Sequence, residues 1–213
     1  MLPIFNISTV EVTGNARASK ENIISLSGID NEDKFFFLDK HSAINKIMEN
    51  TFIESVQINR SFPNKVVIEV LERKPAATLQ VLQNYALIDK WGYVIDKSAN
   101  LQLNLCNLKG IEDTTDIEVG VQIFKLATAE QNKLLEKIFD GSGIDKFKSI
   151  TLLEDKAELT LNSDVVVAFG SYSNVEYKLK VLDQMIASMS DQSSQKAVMI
   201  LMEEGPNPIL VYE

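Results

Sequence analysis

Few side chains in this chain of 213 residues could act together as a catalytic group. The chain contains one histidine, His41, and one cysteine, Cys106. A cysteine becomes a strong nucleophile when a nearby base or cation stabilises its thiolate. His41 follows Asp39 and Lys40, a setting typical of the solvent-exposed first turn of a helix, and Cys106 has no second histidine as an alternative partner. The sequence therefore favours an exposed histidine and an unreactive thiol, and it predicts no catalytic residues.

Acidic residues are plentiful, and carboxylates can bind metal ions or hydrolyse glycosides. The segment 112–116, EDTTD, is acidic but lacks the central glycine and the closing glutamate of a calcium-binding loop. A glycosidase needs two carboxylates that face each other across a cleft, and no spacing among the 30 acidic residues singles out such a pair. We therefore predict no metal site and no cofactor, while a cell-wall hydrolase stays open as an alternative.

Charge and hydropathy exclude several classes of ligand and location. The net charge of −9 argues against nucleic acid or an anionic membrane surface as the main ligand, because both select basic surfaces. The sequence has no run of 18 apolar residues and no secretory signal at its start. A hydrophobic content of 45% is typical of a soluble globular protein. These features are compatible with a protein that binds other proteins.

A hairpin over residues 50–74 organises the first part of the chain. Before the break at 61–65, which contains Pro63, Val56 and Ile58 alternate with polar residues. After it, Val66, Ile68 and Val70 alternate with Val67, Glu69 and Leu71, and these period-2 patterns predict two antiparallel strands. Upstream, the sequence predicts a strand over 7–13, a helix capped by Ser19 and a second helix capped by Asp39. The aromatic run 35–38, FFFL, is expected to anchor the core. The resulting β-α-α-β-β order predicts a two-layer unit.

The pattern changes at Lys74-Pro75, which we predict to be the domain boundary. After this proline the chain has closely spaced short strands and two helices, one over 130–139 and one opened by Ser173 with Glu176 in a capping box. The predicted fold class is therefore α+β, with a mixed β-sheet domain and packed helices after the first unit. The strands predicted in this domain cover residues 76–82, 85–89, 93–96, 147–153, 157–161, 165–169, 197–202 and 209–212, with a further short strand near Leu105 in the loop 100–115.

The last two predicted strands could form an open sheet edge. An edge strand has unpaired N–H and C=O groups that can accept a strand from another protein. No basic residue follows Lys196, and Pro206 and Pro208 fall between the two strands, so the usual protection of an edge is missing. The pattern is equally compatible with one of these strands being central and buried.

Several stretches together carry a resemblance to a known family. They are residues 5–15 (FNISTVEVTGN), 52–56 (FIESV), 60–64 (RSFPN), 72–76 (ERKPA), 85–89 (YALID) and 92–95 (GYVI), followed later by Phe169-Gly170, Lys178-Leu179 and Leu182. In these stretches the chain resembles the FtsQ/DivIB family of bacterial cell-division proteins. The resemblance extends over nearly the whole chain, and it is loosest between residues 100 and 153.

The resemblance implies a fold, a location and partners. The first unit, residues 1–73, would be a POTRA domain, and residues 74–213 would be the partner-binding β domain. Family members are single-pass proteins of the plasma membrane with most of the chain outside the cell, so we expect an anchor outside this sequence and a location at the division septum. The implied role is a non-catalytic divisome scaffold that binds FtsB/DivIC and FtsL and helps regulate septal peptidoglycan synthesis. Another POTRA-bearing assembly or secretion factor is a second alternative.

The family also implies where the partner binds. Its contact with FtsB/DivIC resembles strand addition to the last strand after the long helix. An aromatic side chain that matters in some members would fall near Met202, where this chain has none. The partner-binding residues predicted in this way are Val198, Met199, Ile200, Leu201, Met202, Glu203, Glu204, Gly205, Ile209, Leu210, Val211 and Tyr212.

Overall fold

A computed structural model describes residues 6–31, 33–102, 104–112, 114, 117–140, 143–189, 197–202 and 208–212. The chain forms two compact units, Met1–Lys74 and Pro75–Glu213. Each unit has its own hydrophobic core and combines helices with one β-sheet. The predicted α+β class is confirmed.

The first unit has the predicted β-α-α-β-β order. Its three-stranded sheet has the order β1-β3-β2, in which β1 runs parallel to β3 and β3 runs antiparallel to β2. The predicted hairpin is thus confirmed as the β2–β3 pair. The elements are β1 (Thr9–Thr13), α1 (Lys20–Ser27), α2 (Lys40–Met48), β2 (Ile53–Ser61) and β3 (Lys65–Glu72).

Side-chain caps fix the ends of the two helices. The hydroxyl of Ser19 accepts a hydrogen bond from the backbone N–H of Asn22 at 3.2 Å, and the carboxylate of Asp39 accepts one from Ser42 at 3.1 Å. Gly28 ends α1 at φ +66°, a left-handed conformation that glycine adopts without strain. Both predicted N-caps are therefore confirmed.

The helices cover one face of the three-stranded sheet. Val12, Ile68 and Ile58 lie side by side across the strands and are buried against Ile23 of α1 and Ile47 of α2. The opposite face is mostly polar. Its two rows of paired residues are Glu11, Val67 and Asn59, and Thr13, Glu69 and Gln57.

The aromatic run before α2 anchors the core with only one of its rings. Phe35 is 4% exposed and anchors the core as expected, whereas Phe36 is 54% and Phe37 is 86% exposed, so the expectation holds for only part of the run. Residues Phe35–Phe37 form a 3₁₀ turn. Because such a turn has three residues per turn, consecutive side chains point in different directions and only one of the three can face the core.

Glu72 at the end of β3 holds the loop that leads into α1. Its carboxylate oxygen Oε1 accepts hydrogen bonds from the backbone N–H groups of Ala16, Arg17 and Ala18 at 2.9, 3.1 and 2.9 Å. Oε2 accepts a second bond from Arg17 at 2.9 Å. Burial by itself would raise the pKa of Glu72, but these backbone donors and the Arg17 charge outweigh it and hold the pKa below its ordinary value. The ionised carboxylate therefore stabilises this loop.

The second unit is built on one nine-stranded sheet. Its strand order is β12-β11-β10-β9-β8-β7-β4-β5-β6, with parallel pairs at β10–β11, β8–β7 and β7–β4 and antiparallel pairs elsewhere. The strands are β4 (Pro75–Val81), β5 (Asn84–Asp89), β6 (Val94–Ser98), β7 (Cys106–Lys109), β8 (Phe147–Leu152), β9 (Lys156–Leu161), β10 (Val166–Ser171), β11 (Ala197–Leu201) and β12 (Ile209–Tyr212).

Two helices, α3 (Ala129–Ile138) and α4 (Val175–Met189), cover one face of this sheet. Leu134, Leu135 and Leu182 from these helices are no more than 1% exposed. Beneath them, one row of residues runs across eight strands, and all but the last member are buried. The row is Ala86, Leu79, Leu108, Ile150, Leu159, Val167, Ile200 and Leu210.

The helix α4 begins later than the sequence predicts. It starts at Val175, and its first backbone hydrogen bond runs from Lys178 N–H to the carbonyl of Asn174 at 3.0 Å. The hydroxyl of Ser173, the predicted cap, instead lies 2.8 Å from the Ser171 hydroxyl. One side of the helix packs on the sheet, because Val175 and Leu182 are buried in the core.

Candidate partner-binding edge

The sheet order places β12 at one edge of the nine-stranded sheet. The neighbouring strand β11 lies between β10 and β12, and its backbone pairs with both. The sequence left open whether one of the two terminal strands is central, and the structure shows that β11 is internal. A partner strand could therefore not pair with β11 while β12 is in place, and of the two predicted strands β12 alone lies at the sheet edge.

The predicted partner-binding residues differ in how far their side chains are exposed to solvent. Ile200 is fully buried and Met202 is 7% exposed, and both belong to the core of the unit. The reason is that their side chains point to the face that α3 and α4 cover. Val198, Met199 and Leu201 are partly exposed. Glu203, Glu204 and Gly205 lie outside the described residues.

The strand β12 exposes most of its apolar side chains. Ile209 is 53%, Val211 36% and Tyr212 37% exposed. Leu210 faces the core, where it pairs with Ile200 and packs against the cluster beneath α4. Among the described residues β12 pairs with β11 alone, so the backbone groups on its other side face away from the sheet.

β12 differs from the three other edge strands because it contains no charged side chain. Charged side chains are a common protection of sheet edges, because they prevent another strand from docking. β12 has the sequence ILVY and contains none. The other edges are β1, with Glu11, β2, with Glu54 and Arg60, and β6, with Asp96 and Lys97.

The segment 120–122 covers part of β6, the strand at the opposite edge of the large sheet. The backbone N–H of Val94 donates to the carbonyl of Val121 at 2.9 Å, and Gly120 N–H donates to the carbonyl of Val94 at 2.7 Å. Tyr93 and Gln122 form an isolated bridge beside this contact. β12 is therefore the sheet edge that combines apolar side chains with an absence of charge.

Contacts from α4 hold the strands that carry this edge. The ammonium of Lys178 donates to the carbonyl oxygens of Phe169 and Ser171, at 3.0 and 2.7 Å, and thereby ties α4 to the end of β10. Asp183 of α4 pairs with Lys146, which precedes β8. The N–H of Met202 donates to the carbonyl of Ala168 at 2.9 Å, which extends the pairing of β11 with β10. The edge strand thus belongs to a sheet whose neighbouring strands are held by contacts with α4 and with each other.

His41 and Cys106, the two residues considered for catalysis, belong to different units of the chain. His41 is exposed in the first turn of α2 in the first unit. Cys106 is buried in β7 of the second unit, and burial raises the pKa of its thiol to about 12, so it stays protonated near neutral pH. No cluster of three or more histidine, cysteine or acidic side chains that could hold a metal ion occurs in the part of the chain that is described.

None of the described helices combines the length and the apolar character that a membrane crossing requires. The longest of them, α4, has 15 residues.

Comparisons with known proteins agree with the two units. Residues 5–73 match the family model described as POTRA domain, FtsQ-type, and residues 77–200 match the model described as cell division protein FtsQ/DivIB, C-terminal. The cell division protein DivIB of Clostridium tetani is 29% identical over 212 residues, which cover 98% of this chain and 80% of the relative. DivIB of Clostridium acetobutylicum is 32% identical over 191 residues, which cover 88% and 76%.

A solved structure is also similar. The major extracytoplasmic domain of DivIB from Geobacillus stearothermophilus aligns with 58% of this chain and 98% of its own, at a TM-score of 0.37 and 11% identity.

Proposed function

The chain belongs to the FtsQ/DivIB family of bacterial cell-division proteins, and from that premise we propose that it is a non-catalytic scaffold of the divisome. In this role its second unit binds the extracytoplasmic part of FtsB/DivIC, together with FtsL, by accepting a strand at β12. Through this binding it helps regulate septal peptidoglycan synthesis. The observation that carries the proposal is the uncharged, apolar edge strand β12.

Several properties of β12 suit strand addition. A partner strand gains affinity from main-chain hydrogen bonds and specificity from the side chains at alternate positions. Ile209 and Val211 stand at alternate positions of β12 and offer exposed apolar side chains to a partner. The core contact of Leu210 keeps the strand in place, so little ordering of the edge is needed when a partner docks.

We propose a non-catalytic role because of the chemistry of the two candidate catalytic residues, Cys106 and His41. A thiol with a pKa of about 12 does not supply a thiolate at neutral pH. His41 and Cys106 belong to different compact units. The role proposed for the chain is therefore binding.

By family membership we further propose that the chain works outside the plasma membrane, at the division septum, and that an anchor outside this sequence attaches it there. We also propose that residues 1–73 act as the POTRA domain and residues 74–213 as the partner-binding domain.

A titration with matched charge variants tests the site. The chain is titrated with the purified extracytoplasmic segment of a candidate FtsB/DivIC partner, with and without FtsL. The double variant Ile209→Lys/Val211→Lys places lysines on the exposed side of β12, and we expect it to weaken binding at least tenfold, because lysine opposes strand docking.

The control places the same charges on another edge strand. Gln57 and Asn59 are exposed at alternate positions of β2 in the first unit, so Gln57→Lys/Asn59→Lys changes the net charge equally. We expect this variant to bind like the unaltered chain. Equal binding by both double variants would move the site away from β12, and no binding by the unaltered chain would contradict the proposed partner.

A further inference from the structure

The turn between β5 and β6 carries two aromatic side chains at the edge of the large sheet that lies opposite β12. The buried carboxylate of Asp89 fixes this turn, because it accepts hydrogen bonds from the backbone N–H groups of Trp91 and Tyr93 at 2.9 and 2.8 Å. The side-chain amide of Gln122 donates to the backbone carbonyl of Trp91 at 3.0 Å. These bonds tie the turn to the segment that leads into α3.

Two phenylalanine rings extend the aromatic surface from this turn to α3. Phe124 is partly buried and Phe139 is 2% exposed, and their ring centroids lie 6.0 Å apart in an edge-to-face arrangement. The side-chain amide of Asn132 in α3 donates to the backbone carbonyl of Phe124 at 2.7 Å and holds the segment against the helix. Because the fold already fixes these rings, little conformational entropy would be lost when a ligand contacts them.

A pocket of about 660 Å³, which we term the Trp91 pocket, lies between this turn and α3. Its walls are the four aromatic rings of Trp91, Tyr93, Phe124 and Phe139, and its polar lining consists of Gln122, Glu136 and Asp140. Ligand sites in proteins usually have volumes of about 300–1,000 Å³ and combine aromatic walls with a few polar groups. The Trp91 pocket has both properties.

The two carboxylates give the pocket a negative charge. Glu136 and Asp140 are exposed to solvent, and neither forms an ion pair with another described residue. Both lie at the C-terminal end of α3, where the helix dipole adds partial negative charge. Lys137, the basic residue of this last turn, pairs with Glu176 at 3.5 Å. Among the described residues that line the pocket none is basic, so its charge favours a cationic ligand.

Aromatic faces also attract cations, and one ring of the pocket already does so. The ammonium of Lys90, which does not line the pocket, lies 5.2 Å from the centroid of the Trp91 ring. Among cationic side chains, arginine combines a flat guanidinium that stacks on aromatic rings with N–H groups that form paired hydrogen bonds to a carboxylate. The aromatic walls and the two carboxylates therefore match arginine better than lysine.

We propose that the Trp91 pocket binds an arginine side chain of a protein partner, stacked on its aromatic rings and paired with Glu136 or Asp140. The carboxylates are exposed, so the chain that carries the arginine can pass over the surface. The inference goes beyond the proposed function, because β6 and β12 are opposite edges of the sheet. Eight strand spacings of about 4.8 Å place them roughly 40 Å apart along the sheet, so a strand added at β12 does not occupy the pocket.

A titration followed at Trp91 tests the inference, because this residue is the only tryptophan of the chain. The whole chain is titrated with the blocked tripeptide acetyl-Gly-Arg-Gly-amide at low ionic strength, while tryptophan fluorescence and the indole N–H resonance are recorded. We expect both signals to saturate with a Kd on the order of 1 mM, as for one isolated side chain. The citrulline analogue has the same shape without the charge and should bind at least about fivefold more weakly.

Two matched variants of α3 assign the binding to the pocket. Glu136→Gln removes one carboxylate from the lining and should weaken tripeptide binding about fivefold. Glu130→Gln is the control, because Glu130 is exposed on the same helix, pairs with Lys133 and does not line the pocket. It changes the net charge equally and should bind within about twofold of the unaltered chain. Amide resonances of the unaltered chain give an independent measurement, and we expect residues 122–124 and 136–140 to shift on binding while residues 209–212 do not.

Several outcomes would overturn the inference. Equal binding of the arginine and citrulline peptides, or equal binding by Glu136→Gln and Glu130→Gln, would show that the carboxylates of the pocket do not recognise the charge. Tighter binding of free L-arginine or of tetramethylammonium than of the tripeptide would assign the pocket to a small cation and contradict a protein ligand. The test is independent of the proposed function, because Ile209→Lys/Val211→Lys should bind the tripeptide like the unaltered chain.

Discussion

Removing the charge of Glu72 should destabilise the first unit of the chain. The substitution Glu72→Gln keeps the size of the side chain but replaces the carboxylate by an amide. In the native structure Oε1 accepts from three consecutive backbone N–H groups and Oε2 accepts from Arg17 at 2.9 Å. An amide oxygen in the place of Oε1 can still accept, but the amide NH₂ in the place of Oε2 then faces the N–H donor of Arg17.

The size of the effect follows from this geometry. A hydrogen bond to a charged group contributes about 1.5–3 kcal/mol to stability, and these bonds are not additive. Because one bond is lost and the others lose the assistance of the charge, we expect the free energy of unfolding of the first unit to fall by about 2 kcal/mol. For a domain of this size a loss of that magnitude lowers Tm by roughly 10 °C.

The pH dependence of stability provides a second test, because the direction in which the contribution of Glu72 changes with pH can be stated. The pKa of Glu72 is lower in the folded chain than its ordinary value of 4.5. Its stabilising contribution is therefore fully present above the unfolded pKa and is lost as the pH falls through the lowered folded pKa. The difference in stability between the unaltered chain and Glu72→Gln should stay constant from pH 7 to about 5.5 and shrink below about pH 4.

Calorimetry of the whole chain between pH 3 and pH 7 measures both effects, and hydrogen exchange of the amides in residues 16–27 assigns them to the loop and α1. Glu69→Gln is the control, because Glu69 is exposed on the same strand and should change stability by less than about 0.5 kcal/mol. Equal losses for the two variants, or a difference that persists unchanged at pH 3, would refute the role assigned to Glu72.

Three further predictions concern the second unit. Cys106 should not react with iodoacetamide at pH 8 in the native chain and should react readily in urea, because burial keeps its pKa near 12; native labelling would contradict this. Gly110→Ala should lower the free energy of unfolding by about 2 kcal/mol or more, since a Cβ there lies 1.8 Å from the carbonyl oxygen of Leu152 at a φ of +88°; an unchanged urea midpoint would refute it. Tyr172→Phe should lower the free energy of unfolding, measured in urea, by about 1 kcal/mol. The reason is that the Tyr172 hydroxyl lies 2.7 and 2.8 Å from two backbone carbonyls that flank the turn between β8 and β9. An unchanged free energy of unfolding would contradict a stabilising role for these hydrogen bonds.

Local patterns in the sequence were sufficient to predict most of the fold. Period-2 alternation located the β2–β3 hairpin, and the side chains of Ser19 and Asp39 marked the starts of α1 and α2, because strand faces and helix caps depend on neighbouring residues. The same rule failed for Ser173. A cap at Ser173 would start the helix at Asn174, but Asn174 adopts a φ of +51° and the helix starts one residue later, at Val175.

The candidate site depended on information that a single sequence does not contain. Whether β11 or β12 forms the edge is decided by the pairing of β11 with β10, which lies about 30 residues earlier in the chain. For the same reason the burial of Ile200 and Met202 was not predicted, although Ile200 was placed correctly on a strand and Met202 directly follows its end.

The aromatic run shows a limit of hydropathy as a guide to burial. Phe35, Phe36 and Phe37 have the same side chain, and the 3₁₀ turn alone determines which of them reaches the core. A signal was present in the sequence, since Asp39 begins a helix directly after the run and leaves too little chain for a strand.

The central claim is that a partner strand adds to β12, and amide hydrogen exchange tests it most directly. Exchange is followed by mass spectrometry at single-residue resolution in the chain alone and with saturating FtsB/DivIC segment. We predict that amides of Ile209–Tyr212 that point away from β11 exchange much more slowly in the complex, while those of the opposite edge strand, Val94–Ser98, do not change. Binding that leaves the amides of β12 unprotected, or that protects the β6 edge in their place, would contradict the account.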